Sequence, residues 1–302
     1  MKKTLCTASA MVLALAAAPA MAQDGLKIGM SFQEMNNPYF VSMQEALNEA
    51  AESIGAEVVV TDAAHDVAKQ ISDIEDMLQQ GIDILLINPT DSAGVESAVT
   101  MAKAQDVVVV AVDAQANGPV DTFVGSKNRD AGYMSCKYLA DELDGKGEVA
   151  ILDGIPVVPI LERVEGCKAA FAEYEGITLV DTQNGRQDRS VALGVVENMI
   201  QSHADLAGIF SVNDGGAMGA LAAIQGSGRD IKLTSVDGAP EAVKAIADGG
   251  PFIETTAQFP RDQVRVGLAM ALAQTWGARV VPKAVPIDVR VVDAENAADF
   301  AW

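Results

Sequence analysis

Short runs that are apolar at almost every position alternate with helix-period segments, and the series is played through twice. The first set of runs lies at 27–32, 57–62, 82–88, 107–113 and 122–125, with helical spacing at 38–54, 66–80, 91–105 and 127–143. The second lies at 148–154, 178–183, 207–213, 232–237 and 252–256, with helices near 161–175, 189–203, 215–226 and 239–249. A strand that is apolar throughout is buried on both faces, which requires a parallel sheet covered by helices. The spacing therefore predicts two doubly wound α/β lobes, each near ordinary domain size. A helix over 260–277 and a strand over 285–292 complete the pattern, and nothing local assigns them to either lobe. No Pro/Gly-rich linker separates the halves, so the crossover at 125–128 reads as a short hinge.

The chain opens with Lys2 and Lys3, an apolar stretch through Ala18, a break at Pro19 and small residues at Ala20 and Ala22, which predicts an export signal over residues 1–22. The stretch is too short and wrongly flanked for a membrane span. Removing Lys2 and Lys3 from the 21 basic residues leaves 19 against 42 acidic ones, a net charge of −23. That balance excludes a basic nucleic-acid footprint and a polybasic membrane patch. After cleavage two cysteines remain, Cys136 and Cys167. In an oxidising compartment they are either a disulfide, contributing about 3 kcal/mol by closing a loop of roughly 30 residues, or two separate buried thiols. Neither lies in a CxxC pair, so redox and zinc chemistry are not indicated.

Polar residues gather where strands give way to loops. The segment 31–40, SFQEMNNPYF, follows the first strand and enters a helix behind Pro38, which fits an N-terminus because its missing N–H is no loss there. Asn88, Asp113, Gln115, Asn213, Asp237 and Gln258 hold equivalent places, at the edge where open α/β sheets bind ligands. Helix capping accounts for such residues too, and it suffices for Thr90, Asp91 and Asp214. His65 and His203 are far apart, without metal-ligand spacing, and read as surface or capping residues. No G-x-S-x-G elbow or phosphate loop occurs. Gly226, Ser227 and Gly228 read as a helix stop. Asp113 and Asp237 could in principle form a catalytic carboxylate pair, but no raised-pKa environment can be read from the sequence.

Six stretches give the chain a specific likeness: MNNPYF at 35–40, LLINPTDS at 85–92, ERVEG at 162–166, FSVND at 210–214, SVDGAP at 235–240 and TTAQFP at 255–260. In this order, across the whole mature chain, they resemble the periplasmic ribose-binding protein family, the sugar-capturing components of ABC importers. The resemblance implies a type I periplasmic binding fold, two lobes joined by a hinge of three crossings. One lobe would be 24–126 plus 259–287, the other 127–258 plus 288–302. It also implies a ligand site at Gln33, Asn37, Tyr39, Phe40 and Asp113 with Ala114 on the first lobe. Arg163, Gln187, Asn213 and Asp237 would face them from the second, with Gln258 at the hinge.

These residue types suit a neutral polyhydroxylated ligand. Carboxylates accept from hydroxyls, arginine supplies a rigid fork of donors, amides do both, and rings cover C–H surface. Three positions depart from the ribose-binding pattern: Gln33 replaces a small hydroxyl residue, Ala114 an arginine and Gln187 an aromatic. A sugar alcohol, another sugar form or an amino sugar then fits as well as ribopyranose. The expected protein is a monomeric, periplasmic binding protein with no cofactor and no catalytic residue. It takes a small sugar or sugar alcohol and docks on an inner-membrane ABC permease. A sugar-binding protein that also docks on a chemoreceptor would share the same cleft; a sugar-processing enzyme is the remaining alternative. Trp276 and Trp302 are expected to pack rather than to face ligand.

Overall fold

The computed structural model describes residues 25–302; the expected signal over 1–22 lies outside the described residues. The first lobe begins with β1 (Lys27–Phe32), α1 (Pro38–Ile54), β2 (Glu57–Asp62), α2 (Val67–Gln79), β3 (Ile84–Ile87), α3 (Glu96–Ala104), β4 (Val108–Val112) and β5 (Thr122–Ser126). The second runs through α4 (Asn128–Glu142), β6 (Lys146–Asp153), α5 (Val158–Phe171), β7 (Gly176–Asn184), α6 (Arg189–Ser202), β8 (Leu206–Ser211), α7 (Asp214–Ser227), β9 (Lys232–Asp237), α8 (Pro240–Asp248) and β10 (Phe252–Ala257). The chain closes with α9 (Pro260–Thr275), β11 (Ala284–Ile287) and β12 (Arg290–Asp293).

The strands form two six-stranded sheets, ordered β11-β5-β4-β3-β1-β2 and β12-β10-β9-β8-β6-β7. The first is parallel throughout; in the second, β12 alone runs antiparallel, against β10. Central strands such as β3, ILLI, are wholly buried, as continuous apolar runs require when helices cover both faces. Helix α9 returns to the first lobe, where Val264, Leu268 and Ala271 pack with Ile28, Met43 and Val110.

The run at 285–292 is not one strand. It is β11, parallel to β5, and β12 in the other sheet, with the chain crossing between lobes at Asp288 and Val289. Pro286 is tolerated because β11 is an edge strand. With the passages from β5 to α4 and from β10 to α9, the lobes are joined by three crossings.

Two helix starts also differ from the periodicity. Helix α3 begins at Glu96 rather than near 91; a turn precedes it, in which Asp91 Oδ1 accepts from the N–H groups of Ala93 and Gly94 as a cap does. Helix α5 begins at Val158 rather than near 161, since Pro159 presets its first turn.

Helices α4 and α5 pack unusually closely. A Cβ on Gly132 would lie 1.9 Å from Arg163 O, and one on Gly166 2.0 Å from Arg129 O, so only glycine permits the contact. One turn after Gly132 and directly after Gly166, Cys136 and Cys167 form a disulfide with a Cα–Cα distance of 5.0 Å. Of the two readings left open for these cysteines, the bonded one holds. The pinned helix pair carries Arg163 toward the gap between the lobes.

Candidate functional site

Each sheet sends its polar strand ends into the gap. Asp113 follows β4, Asp237 ends β9 and Gln258 follows β10, while Gln33 leaves β1 and Asn37 caps α1 by accepting from Tyr39 N at 3.0 Å. Two of these residues have strained backbones: Asp113 has φ +68° and Asp237 φ +141°, conformations that side-chain-bearing residues rarely adopt. Such strain persists only where surrounding structure enforces it, and it clusters at functional sites.

The side chains are cross-braced. Tyr39 Oη donates to Asp113 Oδ1 at 3.0 Å and accepts from Gln263 Nε2 at 2.8 Å, while Asn88 Nδ2 donates to Asp113 Oδ2 at 3.2 Å. Across the gap, Arg163 donates through Nε to Asn128 Oδ1 at 2.9 Å. Its Nη1 donates to Val212 O at 2.8 Å and to Asp237 Oδ1 at 3.3 Å. Gln258 Nε2 donates to the same Asp237 oxygen at 2.7 Å, and Asp214 N donates to Oδ2 at 3.3 Å.

One cation thus serves several buried acids. Burial pushes the Asp113 carboxyl up to about 6 although Arg163 pulls it down, and burial raises Asp237 against the same opposing charge. Tyr39 is held well above the usual phenol range by burial and then by Asp113. Asp214, expected to be an ordinary cap, is instead a buried carboxylate. It accepts from Ser235 Oγ, from Thr255 Oγ1 at 2.8 Å and from Ala239 N at 2.6 Å, so it braces the entry to α8 beneath Asp237. Burial and the neighbouring Asp237 charge push it up to about 7.

Gln33, Asn37, Tyr39, Phe40, Asp113, Ala114, Arg163, Gln187, Asp237 and Gln258 surround one inner chamber of ≈ 30 Å³. Asn213 is not among the chamber's lining residues. Its Oδ1 accepts from Gly216 N at 2.9 Å and caps α7. Gln33 Oε1 and Gln258 Oε1 are buried and have no hydrogen-bond partner. Buried acceptors of this kind are normally satisfied, so the pair marks where hydroxyl or N–H donors are wanted.

Outside the chamber a wider cleft of ≈ 1210 Å³ continues between the lobes, with Glu34, His65 and Asp91 on one bank and Arg186, Arg189 and Glu241 on the other. His65 Nε2 lies 2.8 Å from Glu34 Oε2, a hydrogen bond that raises the imidazole pKa. Among the described residues no group of three His, Cys, Asp or Glu side chains is placed to hold a metal ion.

Residues that sequence reasoning passed over complete the chamber. Val157, Pro159 and Ile160 supply its apolar second-lobe wall. The signal was the Pro-containing apolar run between β6 and the first turn of α5, IPVVPI at 155–160, which lacks the polar character sought at strand ends. Asn88, already singled out after β3, does not line it and neither do Asn128 and Gln263, which were passed over; the three fix Asp113, Arg163 and Tyr39 in place. Trp302, expected to pack, packs against the site's supports: its Nε1 donates to Asp237 O at 3.0 Å, and its ring meets Tyr39 edge-on at 5.7 Å.

Residues 28–278 match the family described as periplasmic binding protein domain. The ribose import binding protein of Bacillus subtilis is 40% identical over 234 residues, covering 77% of this chain and 76% of that protein. Among solved structures, a solute-binding protein from Actinobacillus succinogenes with bound D-allose superposes with a TM-score of 0.86 at 28% identity. It covers 91% of this chain and 100% of its own. One from Mycobacterium smegmatis with bound glycerol also gives 0.86, at 32% identity, covering 91% and 96%.

Proposed function

We propose a capture role in solute import for this chain, which belongs to the periplasmic binding protein family: it binds a small neutral sugar or sugar alcohol between its lobes and presents it to an ABC permease. Its similar proteins are named for ribose import or were solved with allose or glycerol, all small and polyhydroxylated. They are binding components of transport, not enzymes. Membership of that family supports a periplasmic place of work.

The observation that carries the reading is the chamber itself. Carboxylate, guanidinium and amide groups from both sheets meet around one small cavity at the base of the cleft, with two buried amide oxygens unpartnered. A hydroxyl can donate and accept at once, so it satisfies such a surface without adding charge. An analogue lacking one hydroxyl leaves a buried group unsatisfied, which is the source of selectivity. In this reading Gln33, Asn37, Tyr39, Phe40 and Asp113 hold ligand from the lobe 24–126 plus 259–287. Arg163, Gln187 and Asp237 hold it from the lobe 127–258 plus 288–302, Asn213 supports them from the α7 cap, and Gln258 acts at the hinge. Ligand contacts to both lobes exist together only in the closed state, so binding shifts the hinge toward closure. The protein acts as a monomer, and its closed face is what the permease reads; a chemoreceptor docking on this protein would use that face too.

A thermal-shift screen of pentoses, tetroses, hexoses, amino sugars and polyols tests this, because a ligand that binds only the native state raises its melting temperature. Selective stabilisation by a neutral sugar or polyol is expected. No shift with any of them, alongside a shift with a branched-chain amino acid, would overturn the reading.

A further inference from the structure

We infer that Trp302 is a positioning residue of the ligand site: it straps the two lobes together beside the hinge and holds Asp237 and Tyr39 in register for a bound solute. The inference rests on the reading of the interlobe gap as the ligand site. It assigns part of the affinity to a side chain that is not among the residues lining either cavity.

The indole touches both lobes at once. Its Nε1 donates to the main-chain oxygen of Asp237 on the second lobe, while its ring stands at 83° to that of Tyr39 on the first. The same ring packs against the first-lobe core, whereas Phe300, two residues earlier, packs with the second-lobe core. Residues 300–302 therefore pass from one core to the other, a contact between the lobes additional to the three chain crossings.

The base of this strap is clamped. The Arg290 guanidinium lies 5.1 Å from the centre of the Phe300 ring and 5.9 Å from that of Phe259, the neighbour of hinge residue Gln258, and the two rings are 6.3 Å apart. Phe300 also sits on the turn that follows β9. A Cβ on Gly238 would meet Ala257 Cβ at 2.6 Å and the Phe300 ring at 3.1 Å, and φ there is +80°, so the turn beside Asp237 fits only glycine.

The strap supplies restraint where the site is strained. Asp237 holds φ +141°, a conformation that persists only when its surroundings enforce it. Its carbonyl accepts from Gln258 N at 2.9 Å as well as from Trp302 Nε1, so the backbone that aims the carboxylate is fixed from the hinge and from the strap. On the other lobe the indole backs the Tyr39 ring, whose hydroxyl donates to Asp113. One side chain thus orients a carboxylate on each lobe, Asp237 directly and Asp113 through Tyr39. Hinge opening carries Tyr39 away from Asp237, and one indole cannot follow both. The two contacts coexist only with the lobes closed, so their free energy adds to that of solute binding.

Isothermal titration calorimetry with D-ribose, D-allose, erythritol and xylitol, on the mature wild-type protein, Trp302→Phe and Trp302→Ala, reads the affinity, and tryptophan emission reads the strap. The chain has two tryptophans, and Trp276 is 75% exposed at the end of α9. Trp276→Phe therefore leaves Trp302 as the sole indole and the site untouched. Trp302→Phe keeps a ring but loses the N–H, and it should weaken binding of whichever of these solutes the wild type takes by about five-fold. Trp302→Ala loses the ring contact as well and should weaken it by about thirty-fold, so phenylalanine rescues part of the loss. Saturating the Trp276→Phe protein with the same solute should shift the Trp302 emission, which a merely structural role would leave alone. Unchanged affinity in a folded Trp302→Ala, equal losses in the two variants, or an emission indifferent to solute overturns the strap while leaving the capture role standing. If Trp302→Ala does not fold by its melting profile, the Trp302→Phe affinity and the emission decide. Failure of the wild type to bind any neutral sugar or polyol overturns the capture role and this inference together.

Discussion

Replacing Arg163 with Met removes the one guanidinium in the chamber while keeping a long apolar stem, and its consequences can be worked from the bonds it makes. Arg163 is buried and donates to Asn128 Oδ1, Val212 O and Asp237 Oδ1, tying α4, the end of β8 and the end of β9 together. Removing one partner of a buried ion pair destabilises by about 3–5 kcal/mol, because the other charge is left uncompensated. For a chain of this length that is a fall in melting temperature of about 10 °C. The loss should depend on pH, with a definite sign. Arg163 is what pulls the Asp113 and Asp237 carboxyls down against burial, so its removal raises both folded-state pKa values further above their unfolded values. A carboxyl with a raised folded pKa takes stability away as pH rises from the unfolded pKa to the folded one, and none below. The variant's deficit should therefore be full near pH 8 and shrink toward about pH 5 as the orphaned acids take up protons. Differential scanning calorimetry at both values measures it. A deficit that is equal at the two pH values, or absent, would refute the electrostatic reasoning.

Glu254 invites the opposite result. It is fully buried in β10, takes bonds from Ser135 Oγ at 2.7 Å and Thr256 Oγ1 at 2.6 Å, and burial pushes it up to about 8. Between its unfolded value and that pH the native state alone keeps the proton, so stability falls by about 1.4 kcal/mol per pH unit over this window. Glu254→Gln should flatten the slope and raise the melting temperature near pH 8; an unaltered slope in thermal scans would contradict this. Replacing both Cys136 and Cys167 with Ser opens a loop spanning 31 residues, which on the chain-entropy account removes about 3–4 kcal/mol of stability. Denaturant melts of the oxidised wild type and the double variant should show that difference, and coincident curves would contradict it.

The fold was legible wherever burial alone decides the residue. Central strands such as β3 and β4 read as apolar runs because helices cover both faces. Legibility failed where the chain is redirected locally: a capped turn at 91–95 precedes α3, Pro159 advances α5, and Asp288 interrupts an apolar run whose halves belong to different sheets. The site was legible at its strand ends, since Asp113, Asp237 and Gln258 sit at the edge where parallel sheets expose polar groups. Its supporting shell was not. The bond of Asp214 to Ala239 N spans 25 residues and those of Asn88 to Asp113 and Gln263 to Tyr39 span 25 and 224. Short-range spacing cannot register partners that far apart. The apolar wall at Val157, Pro159 and Ile160 escaped for a different reason: its residues look like core, and only the crossing of the lobes turns them toward a cavity.

The central claim is that a neutral ligand is held by the polar groups meeting between the lobes, and Asp237 is where that claim is most exposed. Its carboxylate is buried, strained in backbone and in contact with both Arg163 and the hinge residue Gln258. Isothermal titration of the best-stabilising sugar or polyol into wild type and a folded Asp237→Ala variant gives the direct measurement. The account predicts one-to-one binding that weakens in the variant by more than about 2 kcal/mol, or roughly thirty-fold. Unchanged affinity would contradict it.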